Sequence, residues 1–193
     1  MNPVYGLVVC GGKSTRMGQD KSMLVYHGQP QRYHLYEMLG ELCDRVFISC
    51  NKEQFSTIPD NFATIVDEPE YENIGPMASL LSAFKNYPEA SFLLVGCDYP
   101  LISKNHLQQL LEVLNEVIFA ASYFNKSTSY YEPLLAHYQN NIKSKLEFYF
   151  KQNNYSLQSL LLEVNANTII PEDPLVITSV DTPYEYEKVL KQL

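Results

Sequence analysis

Residues 6–21 read Gly6-Leu7-Val8-Val9-Cys10-Gly11-Gly12-Lys13-Ser14-Thr15-Arg16-Met17-Gly18-Gln19-Asp20-Lys21. Two glycines directly after an apolar run let the backbone turn sharply and leave its N–H groups open to a ligand. Lys13, Arg16 and Lys21 add three cations within nine residues of an otherwise acidic chain. Amides that cradle oxygens, with cations that neutralise charge, are what a polyphosphate requires. A tight turn with a solvated basic face has the same composition, so the turn alone leaves both readings open. Two familiar phosphate loops fail on spacing. The Walker pattern needs a glycine five residues before Gly12, where Leu7 stands. The dinucleotide pattern GxGxxG does not match glycines at 11, 12 and 18.

Other polar residues stand where apolar runs end. Asp98 follows Ser91–Gly96 and precedes Pro100; Asp67 ends Ala63–Asp67; Asn51 follows Arg45–Cys50. A carboxylate in such a place can hold a divalent cation against phosphate. It can equally make a turn or cap a helix. The amide of Asn51 suits a base or ribose edge, or a turn.

These residues need a frame, and the pattern supplies one. Strand-like runs Tyr5–Cys10, Arg45–Cys50, Ala63–Asp67, Ser91–Gly96 and Val117–Tyr123 alternate with helical spacing over Gln31–Cys43, Gly75–Tyr87 and Ser103–Asn115. The expected fold class is α/β: one three-layer α/β/α domain over residues 1–193, with a mostly parallel, Rossmann-like sheet. In such sheets ligands bind outside the carboxyl ends of the strands, where the glycine turn, Asn51, Asp67 and Asp98 would converge. Beyond residue 130 the pattern loosens. Tyr131–Tyr138 reads as an edge or bulged strand because of Pro133. Helices are expected over Asn140–Gln152 and Leu157–Glu163, and a strand over Leu175–Val180. A last helix to Leu193 would be capped by Asp181 or Thr182, with Pro183 in its first turn.

Composition narrows the classes of partner. The net charge is −8, from 22 acids against 14 bases, which argues against a broad nucleic-acid footprint. Cys10, Cys43, Cys50 and Cys97 form no CxxC pair and read as reduced, mostly buried thiols. No signal peptide or membrane-length apolar stretch is visible, so a cytoplasmic location without membrane contact is expected. His27, His34, His106 and His137 are scattered, and each reads as a surface or supporting residue.

Val9 to Lys21 closely resembles the N-terminal signature of nucleotidyltransferases, (L/V)xGGxSxRMGxDK. Its Asp20-Lys21 ending is most similar to the molybdenum cofactor guanylyltransferases. Leu24, Gly28 and Pro30 continue the resemblance. So do Asp67-Glu68, Gly75-Pro76-Met77-Ala78, Gly96-Cys97-Asp98-Tyr99-Pro100-Leu101, Glu132-Pro133-Leu134 and Asp181-Thr182-Pro183. The resemblance implies a nucleotide-diphospho-sugar transferase-like fold and transfer of GMP from GTP to molybdopterin cofactor, releasing pyrophosphate. Within it, Val9, Cys10, Gly11, Gly12, Ser14, Arg16, Lys21, Asn51, Asp67 and Asp98 would line the nucleotide site. Arg16, Lys21 and Asp98 would be catalytic, with Asp98 the ligand of Mg²⁺. The acceptor would be a phosphorylated pterin, with Asp181 facing it. Transient contact with other cofactor-biosynthesis proteins, and a monomer or weak homo-oligomer, are also implied.

Three departures stand out. Ser79 replaces a glycine, Cys10 replaces an alanine, and Ser179-Val180-Asp181-Thr182-Pro183 stands where NxNTP is usual. The last change leaves the acceptor open, and the base is open because its selection depends on loop backbone groups. CTP with molybdopterin, or another triphosphate with a sugar or alcohol phosphate, is a second reading. A non-catalytic nucleotide-binding regulator of the same fold is a third.

Overall fold

A computed structural model describes residues 2–10, 17–113 and 118–193. Seven strands form one sheet: β1 (Val4–Val9), β2 (Arg45–Cys50), β3 (Thr64–Val66), β4 (Ser91–Gly96), β5 (Ala120–Asn125), β6 (Tyr130–Tyr138) and β7 (Asn167–Ile169), in the order β3-β2-β1-β4-β6-β5-β7. β1 pairs in parallel with both β2 and β4, and β2 with β3. β6 alone is reversed: it lies antiparallel to β4 and β5, while β5 and β7 are parallel. The expected mostly parallel sheet is the one observed.

Helices α1 (Gln31–Gly40), α3 (Pro76–Asn86), α4 (Lys104–Glu112), α5 (Lys143–Lys151) and α6 (Leu157–Glu163) cover the sheet. A four-residue α2 (Lys52–Phe55) and the C-terminal α7 (Pro183–Leu190) lie outside the two main layers. Period-2 alternation along the strands sorts the core. Leu7, Phe92 and Leu94 face α3, α5 and α6, whereas Val8, Leu93 and Val95 face α1 and α4. Both sets are buried, which is why β1 and β4 read as unbroken apolar runs. A small third cluster, Met17, Leu24, Tyr26, Val180 and Val189, fastens α7 to the segment carrying Lys21.

Local chemistry accounts for the helix starts. Gly75 has φ +71, a left-handed conformation that favours glycine, and Pro76 follows at the first helical position of α3. Ser103 precedes α4, its hydroxyl 2.8 Å from His106 Nδ1. Thr182 caps α7, its Oγ1 accepting from Glu185 N–H. Asp181 is therefore not the cap.

Three expectations are corrected, and for Tyr131–Tyr138 the bulged of the two readings is the one observed. The strand expected over Val117–Tyr123 is observed over Ala120–Asn125, two residues further on at its end, and Val117 lies outside the described residues. β6 is an interior strand, not an edge; the irregularity expected from Pro133 is present as a register shift against β5. Leu175–Val180 is not a strand, because Asp173 and Pro174 start a 3-10 turn over Pro174–Ile177. Its apolar residues cap the core without joining a ladder, and the last strand is the unforeseen β7. His137 is buried in β6, 3.0 Å from Ser91 Oγ, and burial lowers its pKa to about 4.

At the start of α1, Arg32 is fully buried. It donates through its terminal nitrogens to Thr57 Oγ1 (3.1 Å), Thr57 carbonyl O (2.7 Å) and Tyr33 hydroxyl (2.6 Å), and Nε finds no acceptor among the described residues. It clamps the loop after α2 to α1. Arg32→Ala should cost about 2–4 kcal/mol, from a cavity and an unsatisfied carbonyl. A urea titration with unchanged m-value checks this.

Candidate active site

β1, β2, β3 and β4 are parallel neighbours, so their carboxyl ends form one rim. Cys10, Asn51, Asp67 and Cys97-Asp98 stand on it, next after or at the ends of those strands. β6 runs the other way, so its start, Tyr130–Leu134, reaches the same rim on the far side of β4.

Asp98 is the best-defined group. Its Oδ1 is sealed from solvent with no hydrogen-bond donor among the described residues. Gly96 makes room for it: a Cβ there would lie 2.4 Å from Oδ1 and 3.1 Å from Leu134 Cβ. Burial raises its pKa to about 6; nearby Lys21 opposes that, while Asp181 and Glu132 add to it. Asp98 carbonyl O accepts from Val180 N–H at 2.8 Å, which pins the C-terminal segment to the same turn. Among the described residues, Asp67 Oδ1 is likewise buried without a donor, and burial, then Glu72, raises its pKa to about 6.

Lys21 opens a 3-10 turn, Lys21–Met23, that Asp20 caps by accepting from Ser22 N–H at 2.9 Å. This aims Lys21 at Asp181, with which it forms an ion pair. Asn51 Oδ1 accepts from Gln54 N–H (2.8 Å) and caps α2, so that oxygen serves the backbone. Gln54 Nε2 in turn donates to Cys10 O (3.0 Å) and Asp20 Oδ2 (3.3 Å), joining α2 to the end of β1 and to the segment before Lys21.

Among the residues singled out from the sequence, Val9, Cys10, Lys21, Asn51, Asp67, Asp98 and Asp181 lie on or beside this rim. Gly11, Gly12, Ser14 and Arg16 lie outside the described residues. Composition did not single out Gln54, Tyr26, Gly96, Tyr99 or Glu132. Tyr26 hydroxyl is buried with no partner among the described residues; burial, Tyr186 and Asp98 hold it protonated well above the ordinary tyrosine range. Only Gly96, Tyr99 and Glu132 carried a signal, since they sit inside the motifs around Asp98 and Pro133.

A family model described as a MobA-like NTP transferase domain matches residues 6–167, most of the chain and nearly the whole sheet. The chain belongs to this family. As a MobA-like transferase it is 31% identical over 97% of its length to a molybdenum cofactor biosynthesis bifunctional protein of Synechocystis, and spans 54% of that longer protein. It is 26% identical, end to end, to a molybdenum cofactor guanylyltransferase of Campylobacter jejuni, covering 98% of that relative. In fold it matches the molybdopterin-guanine dinucleotide biosynthesis protein A of Archaeoglobus fulgidus, with TM-score 0.77 and 19% identity over 97% of both chains. It is thus a nucleotidyltransferase by family. Among the described residues, no helix of this MobA-like chain is long and apolar enough to cross a membrane.

Proposed function

We propose that the chain transfers GMP from GTP to molybdopterin cofactor, releasing pyrophosphate, with Mg²⁺ at Asp98. One observation carries the reading: the buried, unpartnered Asp98 Oδ1 shares a rim with Lys21 in a chain that matches a guanylyltransferase along its whole length. A buried carboxylate oxygen without a donor is stabilised by a cation, so the donor chemistry fits a hard divalent ion. Such an ion neutralises phosphate charge as pyrophosphate leaves. Magnesium typically keeps water and substrate oxygens in its shell, so one carboxylate is an adequate protein ligand.

The remaining roles are assigned on the same reading. Lys21, held by Asp20 and Asp181, supplies positive charge to the triphosphate beside the glycine turn. Asp67 and Asn51, over β3 and β2, bound the nucleotide half of the rim. Asp181, tied to Lys21 and lying next to Val180 on the Asp98 turn, faces the acceptor half. The acceptor's phosphate oxygen attacks the α-phosphate directly, so no protein nucleophile is needed. A place in the cytoplasm, where GTP is supplied, agrees with this chemistry.

A thermal-shift panel with GTP, CTP, ATP and UTP plus Mg²⁺ tests the base. A triphosphate at about 100 times its Kd stabilises by ~2.7 kcal/mol, or roughly 5–11 °C in a chain of this size. GTP is expected to give the largest shift, and pyrophosphate release with molybdopterin should follow the same order. A larger shift with CTP would overturn the guanylyl assignment.

A further inference from the structure

The segment of β6 beside Asp98 is built differently from the rest of the strand. Between Ser122↔Ala136 and Phe124↔Tyr131 the register slips, so Glu132, Pro133, Leu134 and Leu135 stand against the single residue Tyr123. The irregular stretch is nevertheless held firmly. Ser122 Oγ donates to Glu132 O at 2.9 Å, and Tyr138 hydroxyl donates to Pro133 O at 2.9 Å. Bulges of this kind re-aim side chains at strand ends. Here two side chains are re-aimed at one turn. Leu134 lies against Gly96, over which the Asp98 carboxylate folds. Glu132 Oε2 accepts from Tyr99 hydroxyl at 2.8 Å.

Tyr99 directly follows Asp98, and only 5% of it is exposed. Its hydroxyl therefore needs a protein acceptor, and a carboxylate gives a shorter, stronger bond than a neutral group. That bond sets where the turn after β4 sits relative to β6. Keeping Glu132 there has a cost, because burial disfavours its ionised form and its charge opposes that of Asp98. A residue needed only to fill space would not carry that cost.

We propose that Glu132 is a positioning residue for Asp98, acting through the hydroxyl of Tyr99. The proposal rests on Asp98 being the cation ligand of the reading above. Its partner residues are drawn from two motifs that lie more than thirty positions apart in the chain.

The test uses Tyr99→Phe, Glu132→Ala, Glu132→Gln and the Tyr99→Phe/Glu132→Ala double variant, with circular dichroism to confirm the fold. Mn²⁺ affinity is read by electron paramagnetic resonance in the presence of whichever triphosphate the panel selects. Tyr99→Phe and Glu132→Ala should each weaken Mn²⁺ binding and lower kcat about tenfold, the low end of what loss of an outer partner of a metal ligand costs. Acceptor KM should stay within about twofold, Glu132→Gln should recover most of the loss, and the double variant should be no worse than Glu132→Ala, as for two residues in one contact. Unchanged Mn²⁺ affinity in Tyr99→Phe, or a rise in acceptor KM confined to the Glu132 variants, would overturn the proposal. Mn²⁺ binding needs neither turnover nor a particular base. A failed guanylyl assignment therefore shows in the nucleotide panel, and a failed positioning role shows in Mn²⁺ affinity.

Discussion

Asp98→Asn is expected to lower cation-dependent nucleotidyl transfer by about 1,000-fold, equivalent to ~4 kcal/mol of transition-state stabilisation, while leaving the chain folded. The substitution keeps the shape of the side chain and removes the charge that a divalent ion requires. Stability should move the other way. Folding raises Asp98 from an ordinary carboxylate value near ~4 to about 6, so the native state binds more protons than the unfolded chain between those values. Native stability from this group therefore falls as pH rises from about 4 to about 6 and is level above that. Asn cannot ionise, so the variant should melt at or above the wild-type temperature at pH 7, and its stability should slope less steeply across the same window. Asp67, also raised to about 6, keeps part of the slope. Pyrophosphate release at saturating Mg²⁺, with melting curves at pH 4, 5, 6 and 7, checks both halves. Unchanged turnover would remove Asp98 from the metal site.

Gly96→Ala should be nearly as damaging to turnover without touching a charged group. The new Cβ would meet Asp98 Oδ1 at 2.4 Å, a separation that cannot persist, and Leu134 Cβ at 3.1 Å. Gly96 is the last residue of β4, paired in register with Val9 of β1, so the backbone is held on that side by the sheet. The carboxylate must yield. Turnover should fall about 100-fold, because a displaced ligand of roughly 1 Å costs that much. Overpacking against Leu134 should add a stability loss of about 1–3 kcal/mol. Together, a large loss of kcat and a modest fall in Tm distinguish a moved carboxylate from general unfolding.

The alternation of strands and helices was legible because short apolar runs mark the buried strands and helical spacing of apolar residues marks α3 and α4. Ser91–Gly96 is buried at every position, and the helix over Pro76–Asn86 begins where Gly75-Pro76 marks it. The C-terminal third was less readable. The apolar run Leu175-Val176-Ile177 resembles a strand, yet a proline and an Asp173 cap turned it into a 3-10 turn, while the three-residue β7 is too short for a period to show. Pro133 announced an irregularity but not its place, since an interior strand with a bulge and an edge strand look alike in one dimension.

By its residues alone, the chain determined the alternation of β1 to β4 with their helices and the acidic or amide residues at the ends of β2, β3 and β4. Those follow from local propensity and spacing. Only the tertiary structure decided that Lys21 meets Asp181, that Gly96 admits the Asp98 carboxylate, and that Glu132 on β6 reaches Tyr99 in the turn after β4. The reason is physical. Lys21–Asp181 and Glu132–Tyr99 join residues distant in the chain that only the packed fold brings together, and the fold of Asp98 over Gly96 is set by a backbone turn; none of these is encoded in the hydrophobic period of a single segment.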